Sequence, residues 1–223
     1  MKLAIPNLAI LLLLPLLAGC EDLTGTNYTL AQARQMIDNP KSADARRNGI
    51  ATLATRWPFT HQPPYTNRYQ QIAQHDPDFI VRAMAIRALN ISRDASATKI
   101  FINALEDDNA LVRLEAAKAL ANVPDPEAIP ALVRRLQGTH ETINQGNEMD
   151  VAENKDVRIA AADALRQYRT IDVARTLVGY LNESDFGVAW QSRQSLLVLT
   201  RQDLNYDQAA WLKYLVSAEK PFG

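Results

Sequence analysis

Apolar residues along most of this chain recur at helical rather than strand spacing. Val81, Ala85, Ala88 and Leu89 fall at i, i+4, i+7 and i+8, which is one face of an α-helix. The phrase returns as Val112, Ala116, Ala119, Leu120 and as Val157, Ala161, Ala164, Leu165. Looser copies run Val188, Ser192, Ser195, Leu196 and Ala45, Gly49, Thr52, Leu53. The starts lie at 45, 81, 112, 157 and 188, so the steps are 36, 31, 45 and 31 residues and the basic unit is 31. The recurring small residues allow a neighbouring helix to come close.

Second amphipathic segments follow at Ala95–Glu106, Pro126–Gln137, Ile171–Asn182 and Asp207–Ala218. Asp125-Pro126 places an N-cap residue before a proline at the first helical position, and Asp76-Pro77 and Asn39-Pro40 suggest the same device. Thr29 with Gln32 forms a capping-box pattern that opens a further helix through Ile37, suited to cover one end of a stack. One helix pair cannot bury its own stripe, whereas stacked pairs share one long core. The expected fold is all-α: a short right-handed α-solenoid, an armadillo- or HEAT-like superhelix of about five antiparallel helix pairs. The expected layout is an export segment at 1–19, a tether at 20–28, a capping helix at 29–38, the repeat domain at 39–218 and a tail at 219–223.

The first residues have the three-part plan of a secretory signal: Met1-Lys2, an apolar stretch from Leu3 to Leu17, then small residues. The apolar stretch is interrupted by Pro6 and Pro15 and falls short of the roughly 20 residues of a spanning helix. Leu17-Ala18-Gly19-Cys20 resembles the lipobox of bacterial lipoproteins. That resemblance implies a diacylglyceryl group on the Cys20 sulfur and cleavage just before it, which would give an anchor of two acyl chains. The alternative is an ordinary cleavable signal with an incidental cysteine. Cys20 is the only cysteine in the chain, so acylation would use up a thiol that is otherwise a liability outside the cytoplasm. The implied location is exported and membrane-anchored. In the lipoproteins it resembles, aspartate after the cysteine marks the inner membrane; Glu21 stands there, which favours the outer membrane, although Asp22 follows.

Without residues 1–19, 23 basic side chains face 25 acidic ones, a net charge of −2, with no clustered basic excess of the kind nucleic-acid binding needs. His61, His75 and His140 form no metal-ligand spacing with carboxylates, no serine lies in a Gly-x-Ser-x-Gly context, and no glycine-rich phosphate loop is present. No catalytic constellation, metal site or cofactor is expected, and the expected state is a monomer.

Asp107, Leu111-Val112-Arg113, Ala116 and Ala119-Leu120, followed by Asp125-Pro126-Glu127-Ala128-Ile129-Pro130-Ala131-Leu132, resemble HEAT-like repeats of the phycobilisome-lyase type. The resemblance covers about residues 40 to 218. It implies that Arg46, Arg82, Arg113 and Arg158 join a structural ladder with acidic groups such as Asp76 and Asp107. It also implies that the second helices line a concave surface, where Lys99, Asn103, Arg134, Arg135 and Arg175 are the polar positions open to a partner. Lys99 and Arg175 share a column that Pro130 interrupts, and Asn103 and Arg134 share another that ends at Gly179.

Two departures from the repeat remain. The 45-residue step places an insertion at 138–153, with Glu141, Glu148, Asp150 and Glu153 and with Asp156 just beyond. A loop of that length is functional or a solvated insertion; Asp150, Glu153 and Asp156 fall three apart without the glycine turn of a calcium loop. Trp57-Pro58-Phe59 with Pro63-Pro64-Tyr65 either anchors a partner or plugs the first groove between repeats, and Trp190 and Trp211 suit core or end-cap packing. The expected function is a membrane-anchored adaptor that holds protein partners in the bacterial envelope. The alternatives are a small-ligand-handling or lyase-like protein and a passive envelope assembly factor.

Overall fold

The computed structural model describes residues 28–56, 61–138 and 148–222, with 148–154 described as helix backbone alone. Cys20, the tether up to residue 27, Trp57-Pro58-Phe59, His140 and the acidic side chains of the 138–153 insertion lie outside the described residues. Eleven α-helices and no strand are found among those described. In chain order they are α1 (Leu30–Ile37), α2 (Ala43–Ala54), α3 (Tyr65–His75), α4 (Phe79–Ser92), α5 (Thr98–Ala104), α6 (Ala110–Asn122), α7 (Ile129–Gln137), α8 (Glu148–Leu165), α9 (Ile171–Gly179), α10 (Phe186–Thr200) and α11 (Gln208–Ser217). Single 3-10 turns at Ala95–Ala97 and Pro126–Ala128 lead into α5 and α7. The molecule is an α-solenoid of five pairs, α2/α3 through α10/α11, preceded by α1.

The repeat phrase is the core. Its leucine position, Leu53, Leu89, Leu120, Leu165 and Leu196, is completely buried in every copy, and its small-residue position, Gly49, Ala85, Ala116, Ala161 and Ser192, is buried as well. Burial of each leucine is worth about 1.5–3 kcal/mol. First helices pack on first helices along the row α2, α4, α6, α8, α10. Each second helix packs most closely on the first helix of the following pair: α3 on α4, α5 on α6, α7 on α8 and α9 on α10. The cap α1 stands in the same relation to α2 and so acts as the second helix of an incomplete pair. Its capping box is formed, with the Thr29 amide donating to Gln32 Oε1 at 2.8 Å and the Gln32 amide donating to Thr29 Oγ1 at 3.2 Å.

Three local expectations change. The segment Tyr65–His75 is the second helix of the first pair, burying Thr66, Tyr69, Ile72 and Ala73 on one face. Asp125 caps its turn as expected, accepting from the Glu127 amide, but the caps of α2 and α4 are Ser42 and Asp78 rather than Asn39 and Asp76. Asn39 instead receives the amides of Lys41 and Ser42, and Asp76 is drawn into an ion pair described below. Trp211 is fully buried, donating its indole N–H to the Asn205 carbonyl, whereas Trp190 is 44% exposed.

Among the described glycines, Gly49 has the tightest contact with a neighbouring backbone. A Cβ there would lie 2.7 Å from the Ile37 backbone nitrogen and 2.8 Å from the Ala33 carbonyl oxygen, so α1 can seat on α2 only over a glycine. Gly179, exposed at the end of α9, has nothing within 4 Å of the same atom. Gly49→Ala is expected to destabilise the protein by about 1–3 kcal/mol, as overpacking does. Gly179→Ala is expected to leave stability unchanged or raise it by about 0.5–1 kcal/mol. Urea denaturation of the two variants separates these effects, and equal losses would show that the α1 seat is not tight.

Candidate functional site

The arginine that follows the first position of each phrase lies where one pair meets the next. Arg46 of α2 makes a two-pronged bond to Asp76, Nε to Oδ2 at 2.7 Å and Nη2 to Oδ1 at 2.8 Å, and donates Nη1 to the Asn39 carbonyl. Arg82 of α4 repeats this with Asp107 at 2.9 and 2.8 Å and with the Asp76 carbonyl at 2.9 Å. Arg113 of α6 donates Nη1 to the carbonyls of Asp107 and Asp108. Arg158 of α8 reaches back to the Leu136 carbonyl and forward to Glu183 at 2.6 Å, over the ring of Tyr180. In the last pair Ala189 occupies the position, and the row stops.

The same carboxylates organise the turns. Asp76 accepts the Asp78 amide, Asp107 the Asn109 amide and Glu183 the Ser184 amide. Arg46, Arg82 and Arg158 are thus each held by a side chain ahead and by a carbonyl behind, and Arg113 by the two carbonyls behind it, a charge-assisted and planar arrangement that fixes the angle between pairs. The hydrogen bond from Arg158 holds the Glu183 carboxyl below its ordinary value.

Second-helix polar positions divide into two groups. Lys99 and Asn103 of α5 and Arg175 of α9 are exposed, and their side chains make no hydrogen bond or ion pair among the described residues. Arg134 is exposed but paired with Glu106 across the repeat boundary, at 2.8 Å. Arg135 departs from the expectation of an exposed position: it is 6% exposed and reaches the other Glu106 oxygen at 3.0 Å. It sits on the inward stripe Ala128, Ala131, Leu132, Arg135, Leu136, at the place that Ala104 takes in the preceding repeat. Its Nε and Nη1 have no hydrogen-bond partner. Burial pushes this guanidinium below the ordinary arginine value, Glu106 pulls it back up, and Arg134 pushes it down again.

Contacts that the sequence reading did not anticipate tie the first helices together. Arg87 of α4 grips Glu115 of α6 at 3.0 and 2.7 Å, and Gln191 of α10 donates to Asp163 of α8 at 2.9 Å, both 28 residues apart. Burial raises the Glu115 carboxyl, and the hydrogen bond and charge of Arg87 together with those of Lys118 outweigh it, so it titrates below its ordinary value. The available signal is one of register, since in each case the sixth residue beyond the phrase valine meets the third beyond the next.

A groove of about 340 Å³ opens between α1 and α3, lined by Arg34, Ile37, Leu53, Tyr65, Arg68 and Gln71. The Arg34 guanidinium lies 5.6 Å from the Tyr65 ring centre, and Arg68 is bound to Asp38 at 2.7 Å. Among the described residues no group of three His, Cys, Asp or Glu side chains is placed to hold a metal ion. None of the described helices is long and apolar enough to cross a membrane.

Comparison with known proteins agrees with this architecture. Residues 67–146 match the family model of the HEAT repeats. The fold is similar to a chain in the structure of the complex of CpcE and CpcF of phycocyanin lyase from Nostoc sp. PCC7120. The TM-score is 0.66 at 17% identity, over 87% of this chain and 73% of that one. A search of the curated proteins gave no match. Fold and repeat together define an α-solenoid in which residues 67–146 match the HEAT repeats.

The buried pair Arg46–Asp76, with side chains 10% and 6% exposed, is the strictest test of the row's structural role. Asp76→Ala leaves a buried guanidinium uncompensated and is expected to cost about 3–5 kcal/mol. The combined replacement Arg46→Met with Asp76→Leu is expected to recover most of that loss. Urea unfolding followed by circular dichroism gives both values, and a double variant as weak as the single one would show that the pair is not what the arginine needs.

Proposed function

We propose that this protein is an interaction scaffold of the bacterial cell envelope. It is anchored by a lipid on Cys20 and presents the second-helix surface of its repeats to protein partners. The observation that supports this most directly is the division among the second-helix polar side chains. Arg134 and Arg135 are held by Glu106 within the stack, while Lys99, Asn103 and Arg175 are exposed and without a bond among the described residues. Repeat stacks present extended surfaces that suit protein or peptide ligands. The free cations sit two pairs apart on such a surface and suit an acidic segment long enough to reach both. The lipobox resemblance at Leu17–Cys20 supports an exported site of action, with Glu21 favouring the outer membrane.

A second reading, small-ligand handling, draws on the α1/α3 groove, whose volume is at the lower end of the roughly 300–1,000 Å³ typical of ligand sites. A ligand carried there would copurify and show in an absorbance or mass spectrum of the purified protein.

The scaffold reading is tested by crosslinked affinity purification of the tagged full chain from native membranes. Wild type is compared with Lys99→Glu/Arg175→Glu and with Cys20→Ala, and labelled palmitate reports acylation. Wild type is expected to bring down a stoichiometric partner and to carry label. The charge-reversed variant should lose the partner by about tenfold or more, the effect of losing one hot-spot contact, with its label and helical content unchanged. A partner retained by the charge-reversed variant would remove the concave surface from the proposal, and an unlabelled wild type would remove the anchor.

A further inference from the structure

The groove between α1 and α3 is built from two rungs. Residues one turn apart share a helix face, so Arg34 stands with Asp38 on α1, and Tyr65 with Arg68 on α3. Arg34 meets Tyr65, its guanidinium 5.6 Å from the ring centre, and Asp38 meets Arg68 at 2.7 Å. Both rungs line the cavity of about 340 Å³. A second cavity of about 310 Å³ adjoins it, sharing Asp38, Arg68 and Gln71 and continuing to Arg46 and Asp76.

The arginines of this cleft differ in how their charge is spent. Arg46 uses all three of its nitrogens on Asp76 and the Asn39 carbonyl. Arg68 donates Nε to Asp38 Oδ1 and Nη1 to Gln71 Oε1, which leaves Nη2 without a bond among the described residues. Arg34 makes no hydrogen bond or ion pair among the described residues; its guanidinium meets the Tyr65 ring alone. Across both cavities three arginines face two carboxylates, so the lining carries one positive charge in excess, and that charge is on Arg34. Beside the rungs the first cavity is lined by Ile37 and Leu53, both buried, by Pro64, and by the neutral amides of Asn67 and Gln71.

We propose that this groove binds a small amphipathic monoanion, a carboxylate on a short apolar body. The inference rests on the small-ligand reading of the groove and adds the ligand's charge. Contact with the Tyr65 ring holds Arg34 at the cavity without using its donors, so the guanidinium is placed while its N–H groups stay available. A carboxylate takes those groups in a charge-assisted, two-pronged bond, and Arg68 Nη2, one rung along, is a further donor. The apolar body lies against Ile37, Leu53 and Pro64. Arg34 repels a cation, and a neutral ligand forgoes the charge-assisted bond. A dianion exceeds the single charge that the lining leaves uncompensated. The cavity's volume, at the lower end of the ligand-site range, limits the body to a ring or a short chain.

Phenylacetate is the test probe, with phenylacetamide and phenethylamine as its neutral and cationic counterparts. Each is titrated into the purified full chain and followed by amide chemical shifts. Phenylacetate is expected to move the signals of the groove residues saturably, Asn67 and Gln71 among them. The two counterparts are expected to bind about tenfold more weakly or worse, the worth of one charge-assisted hydrogen bond. Arg34→Gln, a change at an exposed helix position, is expected to lower the phenylacetate affinity by about tenfold. Arg68→Gln, which removes a donor and leaves Asp38 uncompensated at the next rung, gives the same readout should the first variant fail to fold. Phenylacetamide bound as tightly as phenylacetate would overturn the charge preference and leave the small-ligand reading standing. Phenylacetate affinity unmoved by either variant would overturn the assignment to Arg34 and Arg68, and no binding of any of the three at the groove would overturn both readings.

Discussion

How closely the first helix of each pair approaches its neighbours governs everything else in this molecule. A helix pair of this size leaves an apolar stripe that water cannot solvate cheaply, and only a neighbouring pair can cover it. The small residues of the repeat phrase are Gly49, Ala85, Ala116, Ala161 and Ser192, each buried, and the leucine four residues on is fully buried in every copy. A larger side chain at any of these places would push the helices apart and open the leucine row. The serines of the last pair fit because their hydroxyls are satisfied locally, Ser192 by the Val188 carbonyl and Ser195 by the Ala162 carbonyl.

Close approach alone would let pairs slide or rotate. The arginine row removes that freedom, because the guanidiniums of Arg46, Arg82 and Arg158 are bound on either side, and the Arg87–Glu115 and Gln191–Asp163 bonds add a second set of fixed points. Such pairs add little net stability and much orientation. Rigidity of this kind matters for a surface that binds by presenting residues from several repeats at set distances, as proposed for Lys99 and Arg175. It also explains why Arg134 and Arg135 are poor candidates for a partner: their charge is already committed to Glu106.

Much of this was legible in the residues. The repeat phrase, its period and the capping box at Thr29 rest on local chemistry that the fold does not override. The misreadings occur where identity depends on a distant neighbour. Asp76 and Asn39 look like caps because each precedes a proline, yet the partner that claims Asp76 lies 30 residues earlier. Arg135 looks exposed because it adjoins Arg134, although the spacing from Leu132 and Ala131 places it on the inward stripe. Trp190 looks like core because tryptophan usually is, yet it is 44% exposed on α10. Helix α3 was obscured by Pro63-Pro64, which marks its start.

The dependence on close packing can be followed repeat by repeat. Hydrogen exchange of the full chain carrying Ala116→Leu, compared with wild type, reads out where protection is lost. If each pair is supported by its immediate neighbours, protection falls most in α4, α6 and α8, while α2 and α10 keep theirs. A uniform loss along the chain, or no loss in α6, would contradict a stack held together by the small-residue column.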